Sequence, residues 1–321
     1  MRRYLTLLAL MLSTNWLYAQ QDAQQSQYMF NGIYINPAYA GYKENLNLHA
    51  FYRSQWTGID GGPVSMSLAL DAIANDGNVG LALQISNDKL GAQSNLAAYA
   101  NYAYRLRMNA DGSSRLALGF GIGVVQLGIN GNLLNPNDPE PDMFAGTQST
   151  IVPDGRVGVY YSDNKFYAGL SADNLISQYI KVRQDGYIPQ PKPHYYLTAG
   201  VLLPLSEDIK FKPSILVKDD RGGPTSLDIN AFILLGEKLW VGGSYRQRVK
   251  LYSKDYLQRD LSSLNSAVAA LEVFAMKNLR VGYSYDFSVG PLKGYSGGTH
   301  EISIGFYFKT SKSRMLTPRY F

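Results

Sequence analysis

The sequence contains no cysteine, which excludes disulfides and thiolate metal sites. Charge is scarce as well: 17% of residues are charged, against roughly 25% in soluble domains. The only histidines are His49, His194 and His300. None sits in an HExxH pattern, because His300-Glu301 lacks a second histidine at helical spacing and lies on a strand. A G-x-S-x-G serine elbow is also missing. No metal, cofactor or catalytic residue is therefore expected, and the chain reads as a non-enzyme. The net charge of +5 is not gathered into a basic stripe interleaved with aromatics, so a nucleic-acid partner is not expected. Beyond the first residues, no apolar run approaches the 18 or so that a membrane helix requires.

What the chain does have is tyrosine and glycine, 25 and 31 of them in 321 residues. A tyrosine ring is apolar and its tip polar, which suits a surface meeting both lipid headgroups and water. Glycine suits turns and crowded barrel interiors. On composition alone a soluble tyrosine-rich sandwich fits equally well.

The N-terminus carries an export signal. Arg2 and Arg3 supply the positive region and Leu5–Leu12 a short apolar core. Ala19 is the expected last residue of the cleaved piece, leaving Gln20 first. Leu17 is larger than that site prefers. The domain reading is a signal peptide over 1–19, a periplasmic lead or plug over 20–44, a barrel over 45–308 and a periplasmic tail over 309–321.

From Asn45 onward a period of two dominates. Leu46, Leu48, Ala50 and Tyr52 alternate with Asn47, His49, Phe51 and Arg53. Leu279, Val281, Tyr283, Tyr285 and Phe287 alternate with Arg280, Gly282, Ser284 and Asp286. About fourteen such segments follow one another, an even number, as bacterial single-chain barrels require. The second face carries Arg53, Asp71, Arg105, Arg246, Glu272, Arg280, Asp286 and Glu301. Gly119, Gly121 and Gly123 share that face on one segment and are read as narrowing the wall. A sandwich also alternates, but the connections separate the two folds. Short links (Ala72–Asn78, Met108–Ser114, Ser162–Lys165, Ser206–Asp208, Gly236–Lys238, Met276–Asn278) alternate with longer ones. The longer class is read at Gln55–Pro63, Asn87–Asn95, Asn130–Asp154, Ala172–His194, Asp219–Ser226, Gln247–Ser266 and Ser288–His300. Outer-membrane barrels show this asymmetry, with tight periplasmic turns and long outer loops. The fold expected is an all-β transmembrane antiparallel barrel of about 14 strands. Both chain ends then face the periplasm, with the lead on or in that mouth.

Surfaces are left to carry function. The loop Gln247–Ser266 holds Tyr252 and Tyr256 among basic residues. Tyrosine and arginine are enriched in protein interfaces, although a loop touching lipopolysaccharide would look the same.

Several stretches together resemble the PorP/SprF family. The opening QSQYMFNGIYINPAYAG, Gln25 to Gly41, is similar to its first signature. Arg53-Ser54-Gln55-Trp56 with Gly61-Gly62-Pro63 resembles its next block, and Asn87-Asp88-Lys89-Leu90-Gly91 a later one. Trp240-Val241-Gly242, Gly282-Tyr283-Ser284-Tyr285-Asp286, Gly298-Thr299-His300-Glu301 and the ending Pro318-Arg319-Tyr320-Phe321 complete the pattern over nearly the whole mature chain. The resemblance implies an outer-membrane component of the type IX secretion system, without catalytic residues. It implies partners among secreted proteins with C-terminal sorting domains, gliding adhesins and other secretion components. It also implies functional positions at Asn36, Pro37, Tyr39 and Gly41 near the periplasmic mouth, and at Arg53 and Trp56 at the first outer edge. Two roles stay open for Asn36–Gly41, partner contact or a rigid turn plugging the barrel. Arg53 likewise either meets a partner or pairs inside the lumen with Glu301 or Asp286. The competing class is a small-solute porin, and a third is a barrel hydrolase. Phe51, Phe232, Trp240 and Phe274, if turned inward, argue for a plugged barrel.

Overall fold

The period of two becomes a single antiparallel sheet. The computed structural model describes residues 24–134, 146–180, 191–254, 265–289 and 294–308. The strands are β1 (Leu46–Ser54), β2 (Val64–Ala74), β3 (Val79–Leu90), β4 (Gln93–Arg107), β5 (Arg115–Asn130), β6 (Thr147–Ser162) and β7 (Phe166–Asp173). They continue with β8 (His194–Val201), β9 (Leu203–Pro204), β10 (Ile209–Asp219), β11 (Thr225–Leu235), β12 (Leu239–Val249), β13 (Asn265–Phe274), β14 (Leu279–Val289) and β15 (Thr299–Phe308). Neighbours in sequence are neighbours in the sheet, and β1 pairs with β15 to close the ring. The two-residue β9 continues the line of β8 against β10 after a break at Leu202. The result is a closed 14-strand antiparallel barrel. Among the described residues no helix is long and apolar enough to cross a membrane; strands do the crossing.

Closure gives every strand an inner and an outer face. On β2, Met66, Leu68 and Leu70 are exposed on the outside, while Ser65, Ser67 and Asp71 are buried within. All eight charged residues assigned to the second face are buried in the lumen. An apolar exterior belongs against lipid, and a polar interior can then be satisfied only by other protein groups or water.

Two loop assignments are corrected. Pairing runs on from Asn87↔Leu96 to Leu90↔Gln93, so only Gly91 and Ala92 separate β3 from β4. Much of the link read at Asn130–Asp154 is likewise strand, paired from Gly123↔Asp154 to Asn130↔Thr147. Asn, Asp and Lys signal loops by composition, but a ladder standing in water beyond the lipid tolerates them.

Where the chain enters the ring is also corrected. β1 begins and β15 ends at the short-turn end, as expected, but residues 24–45 do not stay at that mouth. They run through the lumen, with Gln24 and Gln25 beside Arg246 near the long-loop end and Glu44 beside Arg105 at the short-turn end. The expected tail, 309–321, and the signal peptide lie outside the described residues.

Glycines on the wall make this path possible. A Cβ on Gly119 would overlap the backbone of Ala38, and one on Gly80 the carbonyl of Ala40. Gly119 on β5 and Gly80 on β3 therefore give up space that the lead takes, whereas Gly121 and Gly123 of β5 make room for the wall side chains of Arg156 and Tyr99. Gly119→Val should loosen the lead by at least about 1–3 kcal/mol, the usual cost of overpacking. The readout is a lower temperature for the barrel's heat-dependent gel shift, and an unchanged temperature would contradict the packing.

Candidate functional site

A 14-strand ring is wider than its own side chains fill, since about eight strands is the size at which they do. The lead supplies the missing core. Tyr28, Met29, Phe30, Ile33, Tyr34, Ile35, Tyr39 and Tyr42 are all buried, and they share one cluster with Phe51, Phe232 and Trp240 from the wall; Phe274 packs against it. Phe30 meets Phe232 edge-on at 5.5 Å, and Tyr39 meets Tyr160 at 5.4 Å.

The lead is built from three single 3-10 turns, Tyr28–Phe30, Gly32–Tyr34 and Pro37–Tyr39. Such short turns leave carbonyls without intrahelical partners. Lumen cations supply the donors. Lys212 donates to the Met29 carbonyl at 3.0 Å and Arg156 to that of Tyr34 at 3.2 Å. Arg156 is itself held by Asp173 at 3.0 Å and Gln84 at 3.0 Å. The Ser171 hydroxyl donates to the Ile35 carbonyl. Tyr34 closes the middle of the path through a 2.8 Å bond to His49 Nδ1.

Asn36 and Pro37 explain their own identity. The Asn36 side-chain oxygen accepts from the Ala38 N–H at 2.9 Å, a helix N-cap, and Pro37 takes the first helical place. The Asn36 amide donates outward to the Val159 carbonyl at 3.0 Å, clamping the turn to β6. Gly41, with φ of 72°, packs against Gly80 and Ala72 where a side chain would collide.

The two ends of the lead are fixed by charge. At the short-turn end Glu44 meets Arg105 at 3.0 Å and Arg115 at 3.5 Å. At the long-loop end the N–H groups of Ser26 and Gln27 donate to the Glu301 carboxylate at 2.8 and 2.9 Å. Arg53 binds that carboxylate at 3.0 Å and Asp286 at 2.8 Å. Arg246 grips Asp228 at 2.9 Å and donates to the Gln25 carbonyl at 3.1 Å. This cluster joins β14, β15 and β1, so it straddles the seam where the last strand meets the first. Lower on the same seam, Arg280 of β14 bonds Asn47 of β1 at 3.1 Å and Glu272 at 3.3 Å.

The eight residues singled out in the sequence thus divide. Asn36, Pro37, Tyr39, Gly41 and Arg53 are buried inside the barrel. They seat the lead and, in this arrangement, offer no surface to an outside partner. Arg53 pairs with both carboxylates weighed for it. Trp56 and Tyr252 remain at the long-loop rim. The Trp56 N–H donates to Thr299 Oγ1 at 3.2 Å, and Thr57 exchanges bonds with Gly297 and Gly298, tying the first outer loop to the last. Tyr252 is 47% exposed and donates to Asp219 at 2.9 Å. Partial burial and that bond push its hydroxyl pKa up to about 12. Tyr256 lies outside the described residues. Ser26, Gln27 and Glu44 were missed. The first two are uncharged members of a polar lead, and nothing in their spacing marks them; Glu44 precedes the periodic region.

A family model for the type IX secretion system membrane protein PorP/SprF matches residues 17–306. No curated protein matches the chain. Among solved structures, the CymD monoaromatic hydrocarbon channel is similar with 12% identity, 91% of this chain and 95% of that chain covered, and a TM-score of 0.52. The P. putida toluene transporter TodX matches at 9% identity over 90% and 95% of the two chains, with a TM-score of 0.48. A KdgM porin matches at 9% identity over 82% and 100%, with a TM-score of 0.39. At such identities the CymD likeness speaks for the barrel fold alone.

Proposed function

Because the chain belongs to the PorP/SprF family of type IX secretion system membrane proteins, we propose that it holds secreted proteins at the cell surface as a plugged outer-membrane barrel. The partners of this reading are the C-terminal domains of secreted proteins, or a surface adhesin, together with other secretion components and lipopolysaccharide around the wall. The observation that carries it is the lead itself, which fills the lumen from one mouth to the other. A chain that seals its own pore has given up free passage of solutes, and its loop rim is left as the working surface. With short turns toward the periplasm, that rim faces outward. Tyr179 and Tyr295 stand 80% and 79% exposed in loops of that rim, which also carry Trp56 and Tyr252; rigid aromatics of this kind anchor protein interfaces.

A porin is the competing reading, and one measurement separates them. The purified full-length protein should show no steady unit conductance in planar bilayers, while secreted proteins co-purify with it from detergent extracts. Uniform open pores would overturn the holding role.

A further inference from the structure

The barrel wall is not level. β5 and β6 have 16 residues each, whereas β7 and β8 have 8 each. β5 and β6 pair without a bulge from Arg115↔Ser162 to Asn130↔Thr147. β7 accompanies β6 only from Val157 to Ser162. A barrel strand crosses the hydrocarbon in about 9–11 residues. Counted up from Ser162, Thr147–Ile151 therefore stands above the lipid at the long-loop end, and among the described strands it is paired on one side only, by β5.

The direction of its free backbone groups follows from parity. In an antiparallel strand the N–H and C=O of one residue point the same way, and successive residues alternate. The Gly131 N–H donates to the Gly146 carbonyl, so even-numbered residues of β6 face β5. The Gly155 carbonyl accepts from Leu175 on the other side, and the Asp163 N–H donates to Phe166 there, so odd-numbered residues face away. Thr147, Ser149 and Ile151 thus present N–H and C=O groups to a side where no described strand lies. Pro153 has the same parity and no N–H, a choice that costs nothing at an edge and marks the lower limit of this one. The edge is also held firm. Val152 points inward, 2% exposed, and packs with Val125 and Leu127, while the Ile176 and Ser177 N–H groups bind Asp154 at 3.2 and 3.0 Å. Ile151 on the outer face is 66% exposed.

We propose that this edge receives an extended, uncharged segment of a secreted protein, which adds to β6 as one more strand. The proposal rests on the holding role above and specifies how the partner is gripped. Alternating donors and acceptors at strand spacing are matched by another strand. Thr147–Pro153 carries no charge, which favours a neutral segment. The height of the edge above the lipid favours a partner arriving from outside.

The absence of cysteine makes the test direct. Ser149→Cys in the full-length chain gives a sole thiol, to which a maleimide benzophenone is attached on intact cells. Irradiation should link it to an extended segment of a secreted protein, mapped by mass spectrometry. Adding Ile151→Pro removes one outward N–H without touching the ladder to β5. The yield should then fall at least about tenfold, the equivalent of ~1.4 kcal/mol for a lost paired bond, with the heat-dependent gel shift kept. Ile151→Asp, which leaves the backbone intact and charges the edge, should cause a similar loss. Undiminished linking in both variants, or links only to a second copy of this chain, would overturn the proposal. If a secreted protein co-purifies with the full chain yet never links to position 149, the edge fails and the holding role stands. If none co-purifies at all, the holding role itself falls.

Discussion

Deleting residues 24–44 should turn a silent barrel into a conducting one. The full chain fills its lumen with the aromatic side chains of the lead, and wall residues alone cannot replace them. About eight strands suffice for side chains to fill a barrel, and about 16–18 leave an aqueous channel; a 14-strand ring without its lead falls toward the second case. The lumen face is polar and charged, so water can take the places of the Met29, Tyr34 and Gln25 carbonyls beside Lys212, Arg156 and Arg246. The strand ladder makes few demands on the lead, because β1 to β15 close on one another directly. Planar bilayers with the truncated protein should therefore show steady steps of one size, absent from the full chain. A truncated barrel that keeps its heat-dependent gel shift yet stays silent would show that the wall and loops seal the pore without the lead. Gly119→Val provides a milder version in an intact chain: pushing Ala38 off the wall should give brief, infrequent openings.

Much of the wall was legible because lipid enforces a strict code. Each of the fourteen segments read from alternation corresponds to a place in the ring, and Arg53, Asp71, Arg105, Arg246, Glu272, Arg280, Asp286 and Glu301 all face inward as their parity requires. The lead was not legible to the same degree. Its turns carry no period, and its burial depends on Gly80, Gly119 and Gly158 withdrawing from a path set by distant strands. Asn36–Gly41 could be read as a rigid turn from Asn-Pro and Gly, but the depth of that turn could not. The tall arm of β3 to β6 was missed for the opposite reason. Asn87, Asp88 and Lys89 look like loop residues, yet they are strand residues that have left the membrane, where polarity no longer reports on pairing.

Replacing Arg53 should be the most damaging single change in the barrel. The guanidinium lies between Asp286 on β14 and Glu301 on β15 while its own strand is β1, so it joins the two ends of the ring. It also donates to Ser26 Oγ at 2.9 Å, in the residue whose N–H meets Glu301. Arg53→Met leaves two carboxylates buried near each other with one cation fewer. Breaking a buried pair from one side costs about 3–5 kcal/mol, and here both the seam and the outward end of the lead lose their tie. Arg53→Lys keeps the charge but not the fork that reaches two carboxylates at once, so an intermediate loss is expected. The decisive comparison is the neutral set Arg53→Met with Asp286→Asn and Glu301→Gln. If the damage comes from uncompensated charge, the triple variant should recover a large part of the lost stability, as buried ion pairs replaced whole often do. Unfolding followed by the gel shift against temperature or urea ranks the four proteins. A single variant as stable as the parent would show that the seam is held by its strand pairing and that the charge cluster contributes little. A destabilised single variant that the triple does not rescue would place the loss in the broken hydrogen bonds of Arg53 to the lead and the seam, not in uncompensated charge.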